Sequence, residues 1–375
     1  MKICVVGLRG LPDVMGGVEM HCEQLFPLLK QRRPNYLFTI IGRKAYLPNH
    51  ISEYHGLTVV PLPHARSRYF ETITNAISGV IYARFALRSD LLHLHGIGPG
   101  LVAPIAKLLG MKVIVTYHSK NYEHRKWNRA ARIILRFGEF CAVASSDRII
   151  TVSKALTNDL RRRFPWAATK VYFIPNGATH IASIRSAVHQ DEVVLTRYRL
   201  EPRSYIVSVG RLVPEKGFHD LVEAVERSDF HGKLVIVGDA DHGDVYSDRL
   251  KEKGSDSCVF PGFVSKYVVR MLLQNSSLFV LTSYNEGLPI AALEAISAGV
   301  PILLSDIEAN RELGLHTENY FEVGNVDDLR FKISQDHERY RLVDSERSKI
   351  LQQYDWNLIC TKTEQLYSTL EAAMT

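Results

Sequence analysis

The sequence is poor in cysteine: Cys4, Cys22, Cys141, Cys258 and Cys360 are the five among 375 residues. They are odd in number, scattered, and never spaced Cys-x-x-Cys. That argues against a disulfide framework or a cysteine-based zinc site and favours a reducing cytoplasm. No run of about 18 uncharged apolar residues occurs, so no membrane-spanning helix is expected. The longest candidate, 97–115, is interrupted by Lys107, Gly110 and Lys112. The opening run Met1-Lys2-Ile3-Cys4-Val5-Val6-Gly7 fits a buried strand, too short and too soon broken for a signal peptide. Internal repeats and low-complexity segments do not stand out. No nucleic-acid recognition module is visible, so no nucleic-acid partner is expected. A dinucleotide Gly-x-Gly-x-x-Gly is missing as well, which discounts NAD.

What remains is a globular composition, 46% apolar and 23% charged, in a chain long enough for two domains. The net charge of +6 hides an asymmetry. Residues 1–180 carry a balance of +15, and the remainder a balance of −9. A basic half suits an anionic partner, either a membrane surface or a pyrophosphate-bearing acceptor; solvated surface charge is the plain alternative.

Short apolar runs alternate with helical patterns throughout, the signature of parallel sheets covered by helices. In the first half the pattern predicts strands over 2–7, 37–42, 57–61, 91–95, 112–117, 148–152 and 171–174. Helices are expected between them over 18–31, 69–87, 100–109 and 126–143. The second half restarts with strands over 205–209, 233–237, 258–260, 278–282 and 301–305, and with helices near 217–227, 246–253 and 290–298. Pro175-Asn176-Gly177 is a turn signal, and the polar stretch 178–201 is expected to be the linker. A periodic amphipathic helix should close the chain from Trp356.

Several strand ends carry chemistry. Ser283-Tyr284-Asn285-Glu286-Gly287-Leu288-Pro289 leaves a strand and opens a helix at Pro289. Glu286 lies in that loop and Glu294 on the following helix, at the end of the sheet where ligands of open α/β folds bind. The backbone N–H groups of the helix start suit phosphate. The two carboxylates can accept from sugar and ribose hydroxyls, or simply complement the helix dipole. Gly210-Arg211-Leu212-Val213-Pro214-Glu215-Lys216-Gly217 repeats the arrangement, with Arg211 as a planar cation for phosphate oxygens and Lys216 as a movable charge beside it. Gly7 to Glu19 follows the first strand, and Gly16-Gly17 permits close backbone approach to an anion or simply makes a tight turn. His118 ends a strand in Thr116-Tyr117-His118-Ser119, and His93 and His95 end another. No carboxylate or cysteine cluster accompanies these histidines, so no metal site is expected from them. Asp239-Ala240-Asp241 offers an Asp-x-Asp metal pattern as a decoy. A stripe of Arg125, Lys126, Arg129, Arg132 and Arg136 with Trp127, Ile133 and Leu135 could serve a membrane surface or its own domain.

The run Ser-x-x-Glu-Gly-x-Pro-x-x-x-Leu-Glu-Ala-x-x-x-Gly-x-Pro, followed by Ser305-Asp306, resembles the donor signature of glycosyltransferase family 4. Gly299 and Pro301 continue the match, and the loops at Arg211–Lys216, Gly16-Gly17 and His118 fit it too. Tyr354-Asp355-Trp356 resembles the family's ending. Within the family the closer likeness is to capsular and exopolysaccharide rhamnosyl- and hexosyltransferases.

The resemblance implies an α/β fold of two Rossmann-like domains, each a parallel sheet flanked by helices, with an interdomain cleft. An acceptor domain over 1–178, completed by the helix 356–375, and a donor domain over 200–355 are expected. The implied activity is retaining, metal-independent transfer from a nucleotide-diphosphate sugar to a glycan or lipid-linked oligosaccharide in cell-surface polysaccharide synthesis. Arg211, Lys216, Glu286 and His118 are the expected catalytic residues. Gly16, Gly17, Gly210, Gly262, Phe263, Gly287, Leu288, Pro289 and Glu294 are the expected donor-binding ones, with the base near Gly262-Phe263. No cofactor is expected beyond the substrate, which is UDP- or dTDP-linked. The acceptor carries a glycan or lipid pyrophosphate, and the enzyme is expected in the cytoplasm, peripherally at the inner membrane face. A nucleotide-sugar epimerase and a non-catalytic nucleotide-binding scaffold stay open as alternatives.

Overall fold

The computed structural model describes all residues except 66–69, 121, 123–128, 179–187, 241–242, 244, 254–256 and 375, and the backbone alone for 188–191. The described residues form two compact units, Met1–Asn176 with Trp356–Thr375, and Gly177–Asp355.

In the first unit, continuous apolar runs make the strands and amphipathic segments the helices. The order is β1 (Lys2–Val6), α1 (Gly17–Arg32), β2 (Leu37–Arg43), β3 (Ser52–Tyr54), β4 (Leu57–Leu62), α2 (Glu71–Ile81) and β5 (Leu91–His95). Then come α3 (Ala103–Leu108), β6 (Lys112–Tyr117), α4 (Arg129–Ser145), β7 (Arg148–Thr151), α5 (Lys154–Arg163) and β8 (Val171–Phe173). They form one eight-stranded sheet in the order β3-β4-β2-β1-β5-β6-β7-β8. One face packs on α1 through Cys22, Leu25, Phe26 and Leu29, and the other on α2, α3 and α4 through Ala76, Val80, Ala103, Ala106 and Ala142.

The second unit contains α6 (Val188–Arg197), β9 (Tyr205–Val209), α7 (Phe218–Glu226), β10 (Lys233–Val237), α8 (Val245–Lys253) and β11 (Cys258–Gly262). It continues with α9 (Lys266–Gln274), β12 (Leu278–Leu281), α10 (Ile290–Ala298), β13 (Ile302–Ser305), α11 (Glu308–Arg311), β14 (Tyr320–Phe321), α12 (Val326–Ile333) and α13 (Asp344–Gln353). Its six-stranded sheet runs β11-β10-β9-β12-β13-β14, with every named pairing parallel. The last helix, α14 (Trp356–Ala372), belongs to the first unit. It is tied to α1 and its C-terminal turn by Arg33 to Glu364 at 2.6 Å, and to the chain beyond by Tyr36 to Glu371 at 2.6 Å.

Two expectations need correction. The first sheet is not wholly parallel, because β3 pairs antiparallel with β4 at its edge. His55 (φ 48°) and Gly56 (φ 77°) make the two-residue left-handed turn that joins them; three residues are too few to show a period. The stretch 178–201 is not merely a linker. It holds α6, which packs against α9, buries its own Val194 and Leu195, and leads into the buried Leu200. Its apolar side is too narrow to stand out among polar neighbours. The helix expected over 69–87 is α2 followed by a π-helical turn, Tyr82–Ala86. That expected over 126–143 begins at Arg129 among the described residues.

Both sheets share a geometric device. Strand order reverses direction at β1/β5 in the first unit and at β9/β12 in the second. At such a point the loops leaving two neighbouring strands diverge to opposite sides, opening a crevice at their C-terminal ends.

Candidate active site

In the second unit, the loops after β9 and β12 flank the reversal. Gly217 adopts φ 66°, and a Cβ there would stand 2.2 Å from the Thr282 carbonyl oxygen. Only glycine lets the two loops touch this closely. Thr282 Oγ1 donates to the Lys216 carbonyl at 2.8 Å, and Tyr284 N–H to that of Glu215 at 2.9 Å. So pinned, Lys216 Nζ donates to Glu286 Oε1 at 2.5 Å, and Ser283 Oγ donates to the same oxygen at 2.6 Å. Ser305 Oγ supports the loop from β13 through the Ser283 carbonyl, 2.6 Å away. The structure therefore brings together two predicted residues seventy positions apart. Half-buried Arg211 follows the same strand as Lys216, two residues beyond Val209.

Helices α7 and α10 begin at Gly217 and Pro289 with no side chain capping them, unlike α5, α9 and α12, which Ser153, Ser265 and Asn325 cap. Uncapped first-turn amides suit an anion. Gly287, Leu288 and Pro289 are buried, so this turn has backbone rather than side chain to offer a ligand. Glu294 lies one turn into α10, half-buried, and desolvation pushes its carboxyl up to about 7 against a weaker opposing pull from Lys266. It can both donate and accept near neutral pH.

Gly210 spends its N–H on the Val237 carbonyl at 2.9 Å, and the Gly262 carbonyl accepts from Gly238 at 3.0 Å. What these glycines can offer a ligand is therefore mainly the space that a side chain would fill. Phe263 is 49% exposed at the end of β11, an open aromatic face. Asp239 forms an ion pair with Lys251 at 2.8 Å, and its decoy partner Asp241 lies outside the described residues.

In the first unit the glycine loop is organised by a pair that the sequence reading missed. Arg9, buried, gives its N–H to Glu19 Oε1 at 2.9 Å and its Nε to the same oxygen at 3.2 Å. Glu19 thereby anchors the start of α1 to the end of β1. A Cβ on Gly16 (φ 153°) would fall 2.0 Å from Glu19 Oε2. On Gly17, the exposed first residue of α1, it would meet nothing within 4 Å. Gly16 serves the turn, and Gly17 keeps the space open.

Beside it, His118 meets more than its expected strand-end neighbours. His95 Nδ1 and His118 Nε2 lie 3.0 Å apart, and His93 stacks on His95 with centroids at 4.4 Å. His93 is held by Tyr367 from α14 at 2.6 Å and by Thr116 at 2.7 Å. A fourth ring, His21, lies edge-on to His118 at 5.1 Å and bonds Asn176 at 3.0 Å. Burial drives all four down: His21 to about 4, His93 to about 3, and His95 and His118 well below their ordinary value. They are neutral at pH 7. One proton sits between His95 and His118, leaving His118 Nδ1 as the nitrogen that can meet a ligand. His21 gave no signal in the sequence because no local motif surrounds it; α1 packing carries it there. Of the segment after His118, Tyr122 is buried and donates to Glu139 at 3.4 Å, whereas Glu123, Arg125, Lys126 and Trp127 lie outside the described residues. Among the described residues, no group of three or more histidine, cysteine or acidic side chains could hold a metal.

Residues 15–180 match the model of Glycosyltransferase Family 4, and residues 197–338 that of Glycosyl transferases group 1. The chain belongs to the family 4 glycosyltransferases. As a glycosyltransferase it moves a sugar from a nucleotide-sugar donor. An uncharacterized glycosyltransferase of Methanocaldococcus jannaschii is 24% identical over 385 residues, covering 98% of each chain. The putative teichuronic acid biosynthesis glycosyltransferase TuaC of Bacillus subtilis is 30% identical over 227 residues, covering 59% of this chain and 54% of its own. Among solved structures, Anabaena HepE in complex with UDP-glucose has a TM-score of 0.78 at 18% identity, covering 98% of this glycosyltransferase and 100% of its own chain. That likeness is one of fold, the two-domain GT-B arrangement of Rossmann-like sheets.

Proposed function

We propose that this glycosyltransferase transfers with retention and without a metal, from a UDP- or dTDP-linked hexose or rhamnose. The acceptor is a glycan or lipid-pyrophosphate-linked oligosaccharide in cell-surface polysaccharide synthesis. The observation that carries the reading is the Lys216–Glu286 contact at the β9/β12 reversal, with uncapped helix starts on both sides. TuaC, a putative teichuronic acid biosynthesis glycosyltransferase, and HepE, bound to UDP-glucose, support this pathway and donor class.

Arg211 and Lys216 stabilise the negative charge that grows on the leaving diphosphate, helped by the first-turn amides of α10. Such stabilisation of developing charge is usually the largest catalytic contribution. Lys216 exchanges Glu286 for phosphate, which frees Glu286 to accept from a sugar hydroxyl. Glu294 bonds the ribose, Phe263 stacks on the base, and neutral His118 orients a hydroxyl through Nδ1. The bond between anomeric carbon and diphosphate oxygen breaks with its electron pair on the diphosphate. The acceptor oxygen bonds that carbon from the same face and gives its proton to the departing phosphate. The five free, buried cysteines suit the reducing cytoplasm.

Arg211→Ala and Glu286→Ala should each lower transfer by roughly a hundredfold or more. Wild-type turnover in both variants removes the reading. Incubation with donor alone separates it from an epimerase, which would convert the nucleotide sugar with no acceptor present. Transfer should persist in a chelator.

A further inference from the structure

Most of the large exposed apolar side chains of the second unit stand singly, as on ordinary surfaces. On the first unit they gather. Helix α2 with its π-helical extension Tyr82–Ala86, together with α3 and α4, covers one face of the sheet and buries small residues against it: Ala76, Ala83, Ala103, Ala106 and Ala142. Their backbones approach closely. A Cβ on Gly138 of α4 would meet the Ile97 carbonyl at 2.6 Å, and one on Gly100 would meet Ala142 Cβ at 2.8 Å. The large residues point the other way. Phe85 is 69% exposed, Leu108 88%, Ile133 67% and Phe137 59%. Ile133 and Phe137, four residues apart on α4, form a stripe along it, and Phe85 lies beyond Ile81 on the π-helical turn that prolongs α2. A layer with alanine inside and isoleucine, leucine and phenylalanine outside is not turned wholly towards its own core.

The charge on this layer has one sign. Arg84, Arg129, Arg132 and Arg136 are exposed, while the only acids of the three helices, Glu71 and Glu139, are buried and paired with Arg43 and Arg163. No helix among the described residues is long and apolar enough to cross a membrane. Apolar stripes rimmed by arginine and free of exposed carboxylate match the boundary between acyl chains and anionic headgroups. A second copy fits less well, since an isologous contact would set the arginines of one copy against those of the other. We propose that the outer face of α2, α3 and α4 docks on an anionic lipid bilayer, apolar stripes immersed and arginines at the headgroups. This rests on the surface alone and not on the transferase reading.

The test is sedimentation of the full chain, without substrate, on phosphatidylcholine vesicles with or without phosphatidylglycerol. The chain should sediment with the anionic vesicles alone and be released in part by salt. Arg132→Ala/Arg136→Ala should lower the partition coefficient roughly thirtyfold. Ile133→Ser/Phe137→Ser, and separately Leu108→Ser, should weaken binding even at low salt, with circular dichroism unchanged because all three side chains are exposed. Failure to sediment with anionic vesicles overturns the proposal, as does undiminished binding by every variant. A concentration-dependent dimer that these variants abolish, with no vesicle binding, assigns the face to self-association and overturns it too.

Discussion

The two strand-order reversals use the same backbone device and opposite chemistry. At β9/β12, Lys216 and Glu286 are 2.5 Å apart and the helix starts are uncapped, an environment of full charges. At β1/β5 and the neighbouring β6, three buried imidazoles and the half-buried His118 are held neutral; His93 is bonded to Tyr367 and Thr116, His21 to Asn176, and His95 to His118. On the proposed reading, charge is concentrated where the diphosphate would be held. Neutral groups that can donate or accept stand where hydroxyls would be oriented. A shared strand-order reversal does not dictate the chemistry; the side chains placed around it do.

That contrast can be broken by comparing losses. Lys216→Ala should lower the transfer rate roughly a hundredfold, because it removes a cation facing developing charge. His118→Ala should cost about tenfold, the worth of one neutral hydrogen bond. Equal losses in steady-state assays would erase the distinction.

Acid should separate the units next. The unfolded histidines titrate near 6.5, but His21 and His93 accept a proton only near 4 and 3 once folded. Between those values the unfolded chain binds more protons, so stability falls as pH drops below 6.5. The loss is at most about 1.4 kcal/mol per pH unit for each fully buried histidine. Glu294 works in the other direction. Its folded value of about 7 exceeds the unfolded 4.5, so the native state binds the extra proton and stability rises as pH falls through that window. Urea midpoints followed by hydrogen exchange in each unit between pH 7 and pH 5 should show the first unit weakening first; parallel loss in both would contradict the assignment.

A smaller effect concerns the donor. If Glu294 accepts from the ribose as proposed, nucleotide affinity should rise through pH 7, and Glu294→Gln should flatten that rise in calorimetric titrations. The smallest effect is at the glycine loop. Gly17→Ala, into open space, should leave stability within about 0.5 kcal/mol in denaturant unfolding. Gly16→Ala, against Glu19, should lower it measurably.

Much of this was legible in the sequence. Strands buried on both faces read as unbroken apolar runs, so ten or more of them, and the loops leaving β9 and β12, could be located from the chain alone. The donor loop was legible because its residues are close in sequence and its glycine and proline positions are set by backbone geometry. What escaped depends on distance or brevity. His21 and Tyr367 reach His95 and His93 only through packing of α1 and α14. Arg9 and Glu19 meet across a turn whose shape no local rule gives. Strand β3 has three residues, and α6 hides a narrow apolar side among polar neighbours.

The placement of α14 has a consequence for how the molecule is made. The first unit's core includes Trp356, Ile359, Cys360 and Tyr367, supplied by the tail of the chain. On a ribosome, residues 1–176 emerge early yet lack one wall of their interior until the whole second unit has been synthesised. The amino-terminal sheet must therefore wait, with the surface that α14 later covers still wet, and the histidine quartet gains its Tyr367 anchor only after the second unit has been made.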